Sequence, residues 1–324
     1  MELKVQLLKS WLLISLIMKL SIVVSVYNEK EVLNLFYDKL MEVLINCNFD
    51  YELIFVNDGS TDDSQIIIDE LSFQNSNIKS IQFSRNFGHE AAMIAGIDYA
   101  TGQAIICMDS DLQHPPTIIP KMYERFIIGD VDIINMARKS VNKNNASNLF
   151  YKILNLISPY SFESNASDFF LISDRIGNIL QENYRERVRF LRGFIQIIGF
   201  NKTTLTYIVD ERKAGKSKYT FHKLLSLSIS AVATLSKLPL KIGIYLGLIS
   251  GFFSILLAIY SLIMKIIEHP VSGYTTIVVF LGIMFSIQFV ILGILGEYIG
   301  FLFDEQKKRP IYIIDKTINI VEKQ

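Results

Sequence analysis

The chain of 324 residues has only two cysteines, and its 32 Lys plus Arg are matched by 32 Asp plus Glu. Cys47 and Cys107 fit no metal-ligand spacing and suggest no disulfide framework, so a reducing compartment fits. The charge balance points to no partner by itself, and nothing marks a nucleic-acid surface. There is no Gly-x-Gly-x-x-Gly, and the single Gly-Lys-Ser, Gly215 to Ser217, has Asp210 where a P-loop carries its first glycine, which removes dinucleotide oxidoreductases and P-loop NTPases. Charge is also missing from two long runs, Ile242 to Met264 and Tyr274 to Gly296, each 23 residues.

Those runs add to a hydrophobic content of 50% and a mean hydropathy of +0.32. Each is long enough to cross a hydrocarbon layer of about 30 Å as a helix. The connector, Lys265 to Gly273, is short and holds Pro270 and Gly273, so the two form a helical hairpin. Lys237 and Lys241 precede the first run, and Lys307, Lys308 and Arg309 follow the second. The positive-inside rule then places both termini in the cytoplasm. Gly243, Gly247 and Gly251, with Gly296 and Gly300, allow close helix approach, either within the hairpin or in a homo-oligomer. Gln288, in mid-span, is expected to face another helix.

Ahead of the hairpin, eight Lys/Arg stand against two acids between Lys202 and Lys241. Such a zone suits an anionic membrane surface or a solvated basic face. Phe221, Leu224, Leu225, Val232 and Leu235 fall at helical spacing opposite Ser226, Ser230 and Thr234. This predicts an amphipathic helix, lying on the bilayer or packed on the preceding domain. The organisation expected is an N-terminal extension (1–17) ahead of an alternative start at Met18, a catalytic domain (18–219), an interfacial helix (220–238), a two-helix hairpin (239–303) and a cytoplasmic tail (304–324).

The region from Leu20 onward alternates strands with helices. Leu20–Val26, Tyr51–Asn57, Ile78–Phe83, Gln103–Met108 and Val131–Met136 are short apolar runs. Glu31–Leu44, Asp62–Leu71, His89–Tyr99 and Thr117–Ile127 carry helical patterns between them. That alternation predicts an α/β fold with a mostly parallel sheet covered on both faces, which binds ligands beyond the carboxyl ends of its strands. Four polar clusters stand there: Tyr27-Asn28-Glu29, Asn57-Asp58-Gly59-Ser60, Ser84-Arg85-Asn86 and Asp109-Ser110-Asp111. Singly, Asp58 or Asp111 reads equally well as a turn or helix-cap residue. Jointly, the carboxylates of Glu29, Asp58, Asp109 and Asp111 repel unless a cation meets them. Magnesium or manganese, shared with phosphates, meets that need.

The segments "VVSVYNE", "FVNDGSTD", "FSRNFGHEAAMIAGIDYA", "MDSDLQHPP", "ERVRFLRG" and "ERKAGKSKY", followed by two spans ending "GEYIG", resemble the family 2 glycosyltransferases that load sugars onto polyprenyl phosphate. Among these, the bactoprenol glucosyltransferases are nearer than the dolichol-phosphate mannose synthases. The resemblance implies a GT-A fold, a UDP-sugar donor, an undecaprenyl phosphate acceptor, an inverting transfer and a bacterial inner-membrane location. It implies that Tyr27, Asn28, Glu29 and Asp58 cradle the nucleoside, with Arg85 beside them on the donor side. Asp109 lies by the ribose and metal, and Asp111 with Gln113 holds the Mg2+ or Mn2+ that bridges the phosphates. Asp168 lies near the reacting sugar. Arg189, Arg192, Arg138, Arg212 and Lys218 fall where donor or lipid phosphates meet the enzyme.

Three positions depart from the family pattern: Ser25 in place of proline, His114 in place of aspartate, and Phe170 where an arginine follows the Asp-Phe pair. The last is expected to remove a cation from the site. Two other readings remain. A polysaccharide-extending synthase normally has more spans and a Gln-x-x-Arg-Trp signature, which is absent. A non-catalytic membrane scaffold descended from a transferase is opposed by Asp109, Asp111 and Asp168.

Overall fold

A computed structural model describes residues 18–47, 49–139, 155, 163, 166–186, 190–208, 238–267 and 273–320. The 1–17 extension, most of the amphipathic stretch 220–238, and Arg189, Arg212 and Lys218 lie outside the described residues. The chain divides into two units. One holds residues up to Asn155, Tyr160–Thr220 and Pro310–Gln324; the other is mainly Phe221–Arg309.

The first unit is built on an eight-stranded sheet. In chain order the strands are β1 (Leu20–Val26), β2 (Tyr51–Asn57), β3 (Ile78–Phe83), β4 (Ala104–Asp109), β5 (Ile133–Arg138), β6 (Ala166–Ser173), β7 (Lys202–Tyr207) and β8 (Ile314–Ile318). Across the sheet they run β7-β5-β6-β4-β1-β2-β3-β8. The pairs of β1 with β2 and β4, β2 with β3, and β5 with β7 are parallel. Strand β6 is antiparallel to both β4 and β5, and β8 is antiparallel to β3. The first three strands lie where the apolar runs place them. Strand β4 is one residue further on than expected and β5 is two, and β6, β7 and β8 are additional.

Side-chain alternation divides the core into two layers. Ile22, Val24, Leu53 and Phe55 face α1 (Leu33–Ile45), α2 (Ser64–Gln74) and α4 (Ile119–Ile127), where Phe36, Leu40, Ile68 and Met122 are buried. Val23, Ile54 and Val56 face α3 (His89–Tyr99), α5 (Asp174–Asn183) and α6 (Leu191–Ile197). Strands buried on both faces need apolar residues at successive positions, which is why the runs show no alternation. A Cβ on Gly96 would collide with Val23, so α3 reaches β1 only because residue 96 is glycine. That close approach fixes where the first turn of α3 sits.

The last strand corrects an expectation. The segment past the hairpin is no free tail. Tyr312 stacks on Phe83 at 5.2 Å and donates to Asp98 Oδ2 at 2.6 Å. Lys316 pairs with Asp69 at 2.8 Å, and the Asn319 amide donates to the carbonyls of Ser72 and Ile78. Strand β8 thereby covers the β3 edge, which would otherwise present unpaired backbone groups.

The second unit contains α7 (Leu238–Ile266) and α8 (Tyr274–Gln306). Leu240–Met264 and Val279–Gln306 are long and apolar enough to cross a membrane, and only 6% and 0% of their most apolar windows are buried. Core helices of a soluble protein bury such surface, and these do not. The second apolar segment begins later and extends further than the charge-free run. Gly243 meets Ile291, whereas Gly247, Gly251, Gly296 and Gly300 have nothing within 4 Å for a Cβ to touch. Gln288 is exposed rather than packed inside the hairpin, contrary to expectation.

At the amino edge of the sheet, Glu52 is 1% exposed and held by Lys79 at 2.6 Å, Lys19 at 2.8 Å, the Ser21 hydroxyl and the Thr101 amide. Burial pushes its carboxyl up, but these donors outweigh burial and hold it at about 2. A depressed carboxyl contributes stability above its unfolded value, which is lost as pH falls through the folded one. Glu52→Gln is therefore expected to cost about 3 kcal/mol at neutral pH. Denaturant titrations of wild type and variant should converge as pH is lowered from about 4.5 toward about 2.

Candidate active site

The loops after β1, β2 and β3 are stitched together by side chains. Asn28, at φ 54°, accepts from the Thr61 amide at 2.8 Å, and its own amide donates to Ser60 Oγ at 2.9 Å. The Glu29 amide donates to Ser64 Oγ at 3.0 Å. Asp58, 3% exposed, accepts from the amides of Phe87 at 2.6 Å and Gly88 at about 3.0 Å. Gly59, at φ 66°, passes so close to the Arg85 backbone that a Cβ would collide with it. The Asn28 side-chain oxygen and the Asp58 carboxylate thus hold loops in place. What they shape is an open cavity of about 430 Å³ lined by Tyr27, Ser60, Thr61, Ser84, Arg85 and Asp315 among others. Arg85 stands over the Phe87 ring at 4.0 Å.

Beside this cavity, Asp109 ends β4, with Asp111 and Gln113 in the following turn and Leu112 at φ 64°. Asp111 Oδ1 accepts from the Gln113 amide at 3.1 Å. Strand β6, paired to β4, carries Asp168 to the same place. Arg192 of α6 grips Asp168 with two bonds, Nε to Oδ1 at 2.9 Å and Nη2 to Oδ2 at 2.6 Å. Phe170 is buried, and the cation on Asp168 is Arg192, from another element. Burial pushes the Asp168 carboxyl up, but Arg192 and then His89 outweigh it and hold the carboxyl at about 2. Arg138 ends β5 at the same edge, its Nε donating to the Tyr207 hydroxyl at 3.3 Å.

Two residues of the first turn of α3 belong to the site, although within their motif only Arg85 carried an assigned role. His89 Nε2 lies 3.5 Å from Asp109 Oδ1 and 3.9 Å from Asp168 Oδ2. Its Nδ1 is 2.8 Å from Ser25 Oγ. A proline at residue 25 could not make that bond, so this departure gives His89 a fixed ring orientation. Burial disfavours the imidazolium, but Asp109 and Asp168 offset that and raise the His89 pKa. Glu90 accepts from the Leu191 amide at 2.9 Å, and burial together with Asp168 raises its carboxyl to about 7.

His114 is fully buried and stacked on Phe169 at 5.0 Å. Its Nδ1 accepts from the Asp109 amide at 3.0 Å. An acceptor Nδ1 requires the proton on Nε2, and burial lowers the His114 pKa, so the ring is neutral. It positions the backbone of Asp109 and forms no ion pair with that carboxylate.

Among the described residues, no three His, Cys, Asp or Glu side chains are arranged to hold a metal ion by themselves. Asp109, Asp111 and Gln113 offer oxygen donors from one short turn. That set fits a hard divalent cation that takes its remaining ligands from phosphates and water.

The arrangement is that of a glycosyltransferase of GT-A fold. The fold is similar to that of glucosyl-3-phosphoglycerate synthase from Mycobacterium tuberculosis, solved with Mn2+, UDP and phosphoglyceric acid. The TM-score is 0.51 over 70% of this chain and 80% of that one, at 16% identity, a likeness of fold alone. The chain belongs to glycosyl transferase family 2, whose signature it matches over residues 21–180. It is 37% identical to the uncharacterized glycosyltransferase YkcC of Bacillus subtilis, over 94% of this chain and 95% of the relative. It is 35% identical to the bactoprenol glucosyl transferase of Shigella phage SfII, over 93% and 98%. It is 36% identical to the prophage bactoprenol glucosyl transferase homolog of Escherichia coli K12, over 93% and 99%.

Arg192→Ala leaves the Asp168 carboxylate without its bidentate partner beside Asp109 and Glu90. Glycosyl transfer is expected to fall about 100-fold, with Arg192→Lys recovering only part because one ammonium cannot replace the fork. Initial rates of both variants, with melting temperatures alongside, check this.

Proposed function

We propose that this chain is a membrane-bound, metal-dependent, inverting transferase that moves a hexose, glucose first among the candidates, from a UDP-sugar to undecaprenyl phosphate at the cytoplasmic leaflet of a bacterial inner membrane. The observation that carries the reading is the meeting of Asp109 and Asp111 with the Asp168–Arg192 pair at one sheet edge, beside a cavity of nucleoside size. Acceptor and sugar follow the names of the phage and prophage relatives. Donor and metal follow the ligands of the mycobacterial enzyme of the same fold.

In this reading Tyr27 and Arg85 border the nucleoside, and Asp109, Asp111 and Gln113 hold the cation. That cation, when bound, neutralises charge on the departing diphosphate. Asp168 stabilises the cation-like sugar carbon electrostatically. A carboxyl held at about 2 is a poor proton acceptor at neutral pH, which suits an acceptor that needs no base. A phosphomonoester has a second pKa of about 6 and is mostly dianionic at pH 7. Arg138, with Arg189, Arg212 and Lys218, gathers the acceptor phosphate. The unit boundaries support the topology. The chain leaves the sheet domain for the hairpin and returns to the same sheet as β8, as two crossings require.

Purified full-length protein with undecaprenyl phosphate is expected to make a lipid-linked hexose from UDP-glucose, read by mass, and to stop when a chelator is added. Asp111→Asn is expected to lower turnover by about 100-fold or more, and Asp168→Asn by less. No lipid-linked product from any UDP-hexose would overturn the reading. So would an Asp111→Asn enzyme that is nearly normal in magnesium while Asp168→Asn is dead.

A further inference from the structure

We infer that Asp315, carried back to the catalytic sheet on the strand that follows the hairpin, is a nucleobase-reading residue whose carboxylate accepts the imide N–H of the donor's uracil. The inference rests on the UDP-sugar reading above and deepens it.

Strand β8 is clamped on both sides of residue 315. Tyr312 is bound to Asp98 and stacked on Phe83, and Lys316 is paired with Asp69. Between them the register slips: Ile314 pairs with Phe83 and Lys316 with Gln82. Such an irregularity re-aims a side chain and is common beside ligand sites. Asp315 alone of β8 lines the cavity, facing Tyr27, Ser60, Thr61 and Arg85. Its carboxylate is exposed and meets no partner among the described residues.

Strand order decides which part of the donor it meets. Strands β1, β2 and β3 stand between β4 and β8, so Asp315 lies at the end of the site away from Asp109 and Asp111. With the diphosphate at those two carboxylates, the base is the part that reaches β8. Uracil presents one donor, N3–H, between two carbonyl acceptors. A carboxylate suits the donor, and the Arg85 guanidinium suits a flanking carbonyl. Asp58, the carboxylate that the sequence assigns to this task, is 3% exposed, turned to the Phe87 and Gly88 amides, and absent from the cavity wall.

The test is calorimetric titration of the full-length protein in detergent with UDP and with N3-methyl-UDP. Wild type is expected to bind UDP about tenfold more tightly than the methylated nucleotide, the scale of one charge-assisted hydrogen bond. Asp315→Ala is expected to lose about tenfold for UDP and to bind both nucleotides alike. Asp315→Asn, which keeps an acceptor oxygen, is expected to fall between. An Asp315→Ala protein that still discriminates as wild type does overturns the assignment, and so does one that loses both nucleotides equally. Wild-type protein that binds no UDP removes the donor reading and this assignment together, whereas failure of Asp315 alone leaves the donor reading intact.

Discussion

Carboxylates crowded at one edge of a parallel sheet are the constraint from which the site follows. Asp109, Asp168 and Glu90 come from three different elements and converge where water is partly excluded, and burial together with the Asp168 charge raises the cost of ionising Glu90. The structure divides the burden unequally. Arg192 takes Asp168 with a bidentate grip and keeps it ionised, while His89 sits between Asp109 and Asp168. Glu90 receives only a backbone amide and is pushed up to about 7. Asp109 and Asp111 carry carboxylates on the one short turn that would suit a cation. The same edge thus holds an ionised electrostatic group, a carboxyl poised near neutrality, and a candidate metal turn.

Holding those groups still requires the loops to be fixed without using the groups that meet a ligand. Backbone amides and small polar side chains do this. Asn28, Ser60 and Thr61 lock the first two loops, Asp58 locks the second to the third, and the Ser110 hydroxyl donates to the Ser25 carbonyl. Ser25 and His114, two departures from the family pattern, belong to this framework. One orients His89 and the other fixes the Asp109 backbone. They substitute one means of positioning for another and leave the metal-turn carboxylates unchanged.

What the sequence made legible follows from how local each signal is. Strands β1 to β3 stand where the apolar runs place them, because strands buried on both faces are mostly apolar; their polar residues, such as Glu52 and Lys79, are paired with each other. Strand β6 opens with Ala-Ser-Asp and reads as a loop, and β8, "IDKTI", reads as a solvated tail. Both acquire strand character from the edges they pair with, which is information held elsewhere in the chain. The site divides the same way. Asp109, Asp111, Asp168 and Arg192 are each announced by a short motif. The Ser25–His89 bond joins residues 64 positions apart, and no local pattern announces it. Asp58 shows the opposite failure: its motif is plain, but its carboxylate faces the loop amides. The departure at Phe170 leaves a buried apolar side chain there, while Asp168 keeps a cation through Arg192 of α6.

The charge balance of the described edge also says what the rest of the chain must provide. Arg192 is spent on Asp168, and His89 is shared between two carboxylates, so little positive charge is left over for ligands. Arg138 is bonded to a neutral phenol, and Arg85 stands over the Phe87 ring. A sugar nucleotide and a lipid phosphate would together bring several negative charges into that space, and two guanidiniums cannot offset them. In the proposed reading, a divalent cation at Asp109 and Asp111 would address the diphosphate. The acceptor phosphate then needs cations of its own, and the basic stretch holding Arg212, Lys216 and Lys218 directly precedes the amphipathic and apolar segments. On that reading, two anionic ligands met by separate positive sources, one an ion and one a basic polypeptide segment, would approach each other without competing for the same countercharge.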